Sequence, residues 1–261
     1  MKQQQQKQQI KVYNRQLKYP PVGVEPRAKT AHKVKKGSAI MIAPHGITVY
    51  DEEKIFALLY LLQTGKAEMQ VVTVDQNFLV AKITTNIYNI AKLLNNFEYT
   101  NIIESLSKCE GMRLIYEIVK KENGKVVKGK AITTPIYRIE PYQDKKIVVY
   151  MDLKFYQACL EKPFFLNVEY FKLKGHAKNV YKILATNQCQ KSIDIDTIAE
   201  RCLFSSQPPK ERKRIVKESL QKIQNTELGK NLQFEIKNNQ VIIKKNKKKI
   251  KKKGTYANVT A

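Results

Sequence analysis

The stretch Pro208-Pro209-Lys210-Glu211-Arg212-Lys213-Arg214-Ile215-Val216-Lys217-Glu218-Ser219-Leu220 carries two signals at once. Proline at a first turn opens a helix, because the missing N–H has no intrahelical partner there. Val216, Leu220 and Ile223 then recur at helical spacing and take the buried face of a helix over about 210–225. The bases Lys210, Arg212, Lys213, Arg214 and Lys217 crowd its N-terminal turns, and Lys213, Arg214 and Lys217 point outward. Helix N-termini favour phosphate, and arginine can grip guanine through two hydrogen bonds. The plainer alternative is a solvated face with an Arg214–Glu218 pair.

Working outward, Phe171 to Gln188 reads as a helix with Ala177, Val180, Tyr181 and Leu184 inward. Ile193 to Ile195 reads as extended. Asp196 is expected to cap a short helix over 197–202, with Ile198, Ala199 and Cys202 inward. Downstream, the strands over 234–237 and 241–244 form a hairpin across Asn238-Asn239. The order is helix, extended piece, two helices, hairpin. That is a winged helix, a helix-turn-helix whose second helix enters the major groove while the hairpin forms a wing. Lys237 and Asn238 sit at the expected wing tip.

A similar order occurs earlier. Thr48 with Asp51 three residues on is a capping-box-like start. Ile55, Leu58, Leu59 and Leu62 follow on one face of an amphipathic helix that Gly65 ends. Val71 to Ile83 is one extended segment. Helices over 85–94 and 99–108 come next, the first with Ile87, Ile90, Ala91 and Leu94 inward, the second with Ile102, Ile103 and Leu106. The outer face of the second presents Asn101, Glu104, Ser105 and Lys108, polar but nearly uncharged. Strands over 112–120, 131–140 and 147–151 follow, with a hairpin signal at Glu122-Asn123-Gly124-Lys125. Lys120, Lys121, Lys125, Lys128 and Lys130 make that wing basic. Wing lysines meet phosphate and add affinity without sequence information.

The expected fold class is therefore α+β, two tandem winged-helix domains over 37–151 and 152–243, flanked by disordered basic tails over 1–36 and 244–261. The whole chain has 261 residues, with 48 Lys plus Arg against 23 Asp plus Glu and a net charge of +25. An excess of that size makes a polyanion the default partner. The tails carry much of it: ten bases and one acid over 1–36, eight lysines and no acid over 244–253. They read as solvated arms contacting phosphate, or as a localisation signal of the same composition.

The residues from Pro44 through Thr48-Val49-Tyr50-Asp51-Glu52-Glu53 to Leu61 resemble the opening helix of plasmid replication initiators of the iteron-binding Rep type. Ile195 to Leu220 is similar to the recognition half of that family's C-terminal winged helix. The resemblance covers roughly residues 40–243. It implies two winged helices binding successive major grooves of a repeat at an origin. It further implies opening of an AT-rich segment, recruitment of the host initiator and replicative helicase, and a homodimer through the N-terminal domain. The Gln-rich start and the lysine tail depart from the family.

The residues point away from catalysis. His32, His45 and His176 give no H-x-H pair of the kind a DNA-nicking initiator uses, and no phosphate-binding G-x-x-x-x-G-K-[ST] loop occurs. No cofactor and no metal are expected, since Asp194 and Asp196 are explained by a strand-to-helix cap. Cys109, Cys159, Cys189 and Cys202 share no C-x-x-C spacing and read as reduced thiols. No spanning helix or leader is expected, so the chain reads as cytoplasmic, or nuclear in a eukaryote, with double-stranded DNA as its partner. A winged-helix transcriptional repressor and a non-specific RNA- or chromatin-binding protein are the alternatives.

Overall fold

The computed structural model describes residues 9–13, 32–36, 39–43, 45–74, 78–122, 125–141, 144–161, 163–187, 192–202 and 208–243. The elements are, in order, β1 (Gln9–Tyr13), β2 (His32–Lys36), β3 (Ala39–Ala43), α1 (Val49–Gln63), β4 (Glu68–Val74), β5 (Phe78–Asn86), α2 (Ile87–Leu94) and α3 (Tyr99–Lys108). Then come β6 (Arg113–Glu122), β7 (Lys125–Thr133), β8 (Ile136–Pro141), β9 (Lys146–Asp152), α4 (Leu153–Glu161), β10 (Pro163–Asn167) and a 3₁₀ turn (Val168–Lys172). The chain continues through α5 (His176–Thr186), β11 (Ser192–Asp194), α6 (Ile195–Arg201), α7 (Pro209–Gln224), α8 (Glu227–Leu232), β12 (Phe234–Lys237) and β13 (Gln240–Ile243). The fold is α+β, with small antiparallel sheets in the orders β2-β3-β6-β7, β4-β5-β9-β8, β11-β13-β12 and β1-β10.

Helix α1 begins as its sequence dictates. Thr48 N–H donates to the Asp51 carboxylate at 2.8 Å, and Asp51 N–H donates back to the Thr48 hydroxyl at 3.4 Å, closing the capping box. The expected amphipathic character does not hold. Asp51, Glu52, Glu53 and Lys54 are buried together with Ile55, Phe56, Leu58 and Leu59, so α1 is enclosed on every side. It is packed against α2, α3 and β1. On another side, Phe56 meets Tyr170 edge-on at 5.9 Å, and the Tyr50 hydroxyl accepts from Gly175 N–H at 2.8 Å.

Several expectations are corrected. The single extended segment over 71–83 is a hairpin, β4 against β5. The strand expected over 131–140 breaks at Thr134-Pro135 into β7 and β8, which lie in different sheets. The helix expected from Phe171 breaks at Gly175, whose φ of 57° is left-handed, so a 3₁₀ turn precedes α5. The tail over 1–36 holds two strands. Within β1, Ile10 and Val12 are fully buried, and Gln9–Tyr13 pairs antiparallel with β10. Lys11 N–H donates to Gln63 at the end of α1, at 3.1 Å. Strand β1 therefore joins the stretches taken as separate domains over 37–151 and 152–243. Residues 1–8, 14–31 and the tail over 244–261 lie outside the described residues.

Helix α8 had no sequence expectation. Its Gly229 is buried where α8 meets the end of α7. A Cβ there would come within 2.4 Å of the Ile223 carbonyl oxygen and 2.5 Å of the Gln224 Cα. Both are backbone atoms that cannot step aside. Gly229→Ala, although it raises helix propensity, is expected to lower stability by roughly 1–3 kcal/mol; a urea midpoint at or above wild type would contradict this packing.

The core also sets a pH dependence. Burial pushes the Cys109 thiol well above its ordinary 9.0, and the Asp51 and Glu52 carboxylates add to the rise. Burial likewise raises the Tyr170 and Tyr181 phenols from 10.0. These acids are held protonated by the fold, so their contribution is complete below about pH 9 and is lost as pH rises beyond it. Lys178 works the other way over the same range: burial lowers its ammonium, which Glu53 partly opposes. Urea midpoints should fall between pH 8 and about pH 10.5, and less so for Cys109→Ala.

Candidate nucleic-acid interface

Helix α7 forms as expected, with Pro208 at its N-cap and Pro209 at its first position. Val216, Ser219, Leu220 and Ile223 are its buried residues. They hold it against α5, α6 and α8. This leaves Lys210, Arg214, Lys217 and Gln221 as an exposed stripe at i, i+4, i+7 and i+11.

The basic residues of α7 differ in their engagements. Arg214 lies between two carboxylates of its own helix: Nε donates to Glu211 at 2.8 Å, and a second nitrogen is paired with Glu218. These contacts push its guanidinium pKa upward. The solvated-face alternative thus holds at Arg214, and base reading by this side chain requires it to leave both acids. Lys213 pairs with Asp196 at 3.0 Å. Arg212 is half-buried, and its Nε has no hydrogen-bond partner among the described residues. Lys210 and Lys217 are exposed without an ion pair among the described residues.

Asp196 does something the sequence did not show. The N-cap of α6 is Asp194, not Asp196, and it makes no side-chain capping bond. The Asp196 carboxylate instead accepts from Lys213 Nζ at 3.0 Å and from Asn239 Nδ2 at 3.1 Å. One carboxylate therefore ties α6, α7 and the β12–β13 turn together. That turn is a tight hairpin, with φ of 46° at Asn238 and 64° at Asn239, as the asparagine pair predicts. Lys237 is exposed beside it and pairs with Glu235 at 2.8 Å. Lys210, Lys213, Lys217, Lys237 and Asn238 thus belong to one helix and the hairpin tethered to it.

In the N-terminal half, α2 and α3 are joined by a short turn with Asn95 left-handed at φ 51°. Asn101 and Lys108 are exposed on α3 as expected. Ser105 is not: it is 5% exposed, so its assignment to the outer face is corrected. Ile102, one turn before it, and Leu106, next to it, both face the core and draw Ser105 inward with them. It lines a cavity of about 320 Å³ with Thr48, Asp51, Glu53, Lys54 and Lys108. The acids there leave α3 with a far less positive setting than α7. Lys121 and Lys125 lie on the β6–β7 ribbon, opposite Val126 and Glu122 respectively. Their side chains lie outside the described residues. No group of three or more His, Cys, Asp or Glu placed to hold a metal occurs among the described residues, and no helix among them is long and apolar enough to cross a membrane.

The residues missed by sequence reasoning are the buried pairs Glu52–Lys182 and Glu53–Lys178. Two lysines at i, i+4 among Ala177, Val180, Tyr181 and Leu184 were the available signal, since lysine on an apolar face requires a buried partner.

No protein-family model matches the sequence. No curated protein matches it either. The architecture, in contrast, is shared: the structure of RctB domains 2–3 superposes with a TM-score of 0.56 at 13% identity, covering 86% of this chain and 95% of that one. At that identity the likeness is one of fold.

Proposed function

We propose that this chain is a sequence-specific duplex-DNA-binding replication initiator built on two winged helices, over 37–151 and 152–243. The observation that carries the reading is the cationic face of α7, locked by Asp196 to an adjacent hairpin. The fold shared with RctB domains 2–3 extends over 86% of the chain, so the two halves and their helices are arranged as in that solved structure. Helix α7 enters a major groove, with Lys210 and Lys217 on phosphates and the β12–β13 turn on the flanking backbone. Helix α3 occupies a second groove through Asn101 and Lys108 and contributes less electrostatic affinity. The protein acts by binding and deforming DNA, without covalent chemistry, and AT-rich and pyrimidine–purine steps are the easiest to distort. Recruitment of a host helicase or initiator, and dimer formation through the N-terminal half, belong to this proposal.

Selection of bound duplexes from a random pool at about 150 mM salt tests it. Recovery of a motif of roughly 20 base pairs with two unequal half-sites a helical turn apart is the expected result. A pool that stays random would overturn specific origin binding in favour of a non-specific polyanion binder. A recovered motif whose tandem copies sustain no origin activity would favour the repressor instead.

A further inference from the structure

Two carboxylates on α1 and two ammonium groups on α5, all buried, meet across the junction of the two halves. Glu52 pairs with Lys182, both fully buried, and Glu53 pairs with Lys178. Lys178 also donates to the Phe171 carbonyl at 3.3 Å and lies over the Tyr170 ring at 4.7 Å. Helix α1 packs directly on α3, and α5 packs directly on α7. The path between the two DNA-facing helices therefore runs α3, α1, the ion pairs, α5, α7.

We propose that the Glu52–Lys182 and Glu53–Lys178 pairs fix the spacing of the two DNA half-sites by locking α1 and α5 in one register. This rests on the initiator reading and adds to it the residues that position one recognition helix relative to the other. The hydrophobic attraction between two helices is non-directional and by itself discriminates weakly between registers. The ion pairs do not tolerate sliding. Glu52 and Glu53 are adjacent on α1, about 100° apart around its axis, whereas Lys178 and Lys182 stack one turn apart on one face of α5. Sliding α5 by one turn would separate one of the carboxylates from its α5 lysine and leave one α5 ammonium buried without a carboxylate, although Glu53 also has Lys54 of its own helix at 3.6 Å. Buried polar groups that enforce register at the expense of stability are the best-attested use of such pairs. The half-site spacing on DNA then depends on four side chains that touch no DNA.

The test uses the full chain and two charge-free double variants, Glu52→Gln/Lys182→Met and Glu53→Gln/Lys178→Met, so that the proposal survives the loss of either to misfolding. Duplexes carry the selected half-sites with the spacer changed by one or two base pairs. Wild type should prefer one spacer roughly tenfold over its neighbours, and the variants by less than about threefold. Folded variants that keep the wild-type preference overturn the proposal. A second readout needs no DNA: spin labels at Ser107→Cys on α3 and Gln221→Cys on α7, both exposed positions, in a Cys189→Ser background. Cys109, Cys159 and Cys202 are buried. One narrow distance distribution is expected in the parent and a broadened or shifted one in the charge-free variants; equal distributions overturn the lock. Failure to select any bipartite site would instead remove the initiator reading, whatever the labels show.

Discussion

Lys182→Met lowers the stability of the protein by about 3–5 kcal/mol, and the accompanying change Glu52→Leu restores most of the loss. The reason lies in the asymmetry of buried charge. Lys182 and Glu52 are each fully enclosed. Methionine fills the lysine's volume, so the single variant forms no cavity, yet it leaves the Glu52 carboxylate in a dry interior without its ammonium. Removing the carboxylate as well takes away that penalty and leaves an apolar helix contact. Denaturant midpoints of the two single variants and the double variant give the coupling between the sites. A Lys182→Met loss below about 1 kcal/mol would show that the pair is solvated rather than enclosed.

Neutralising the outer face of α7 has the largest expected effect on binding. The triple variant Lys210→Ala/Lys213→Ala/Lys217→Ala should weaken DNA binding by roughly two to three orders of magnitude on every sequence. It should also make the log–log salt dependence shallower by about two, close to one each for Lys210 and Lys217, since Lys213 is already paired with Asp196. Lys210 and Lys217 are exposed, and Lys213 is held towards the hairpin by Asp196, so the three are already presented on one side. Arg214→Ala is the internal comparison. Its guanidinium is committed to Glu211 and Glu218, and its removal also leaves these acids facing the DNA. A sequence-uniform loss is therefore expected there, smaller than that of the triple variant. Titrations by fluorescence anisotropy at several salt concentrations separate the cases. An unchanged salt slope in the triple variant would place the DNA elsewhere on the molecule.

Local chemistry made much of this legible in advance. The Thr48 capping box, the Pro208-Pro209 helix start, the apolar face of α7 and the Asn238-Asn239 hairpin each depend on residues within a few positions of one another, and each is found where the sequence places it. The alternation of Ile10 and Val12 around Lys11 was equally available as a strand signal. It was obscured by the glutamine-rich residues before it, and only the pairing with β10, more than 150 positions away, turns it into structure.

The sequence by itself determined the succession of α5, β11, α6, α7 and the β12–β13 hairpin, though not α4, β10 or α8, together with the strongly basic character and the helix that bears the exposed cations. Those follow from periodicity, capping and charge, which act over one or two turns of chain. The tertiary structure alone decided that α1 is buried on all sides, that Ser105 faces inward, and that Asp196 serves α7 and the hairpin rather than its own helix. It also decided that the two halves meet through Glu52, Glu53, Lys178 and Lys182, about 130 residues apart. Burial and ion pairing over such separations depend on how the helices pack, and no local pattern encodes which distant charge will be brought into contact.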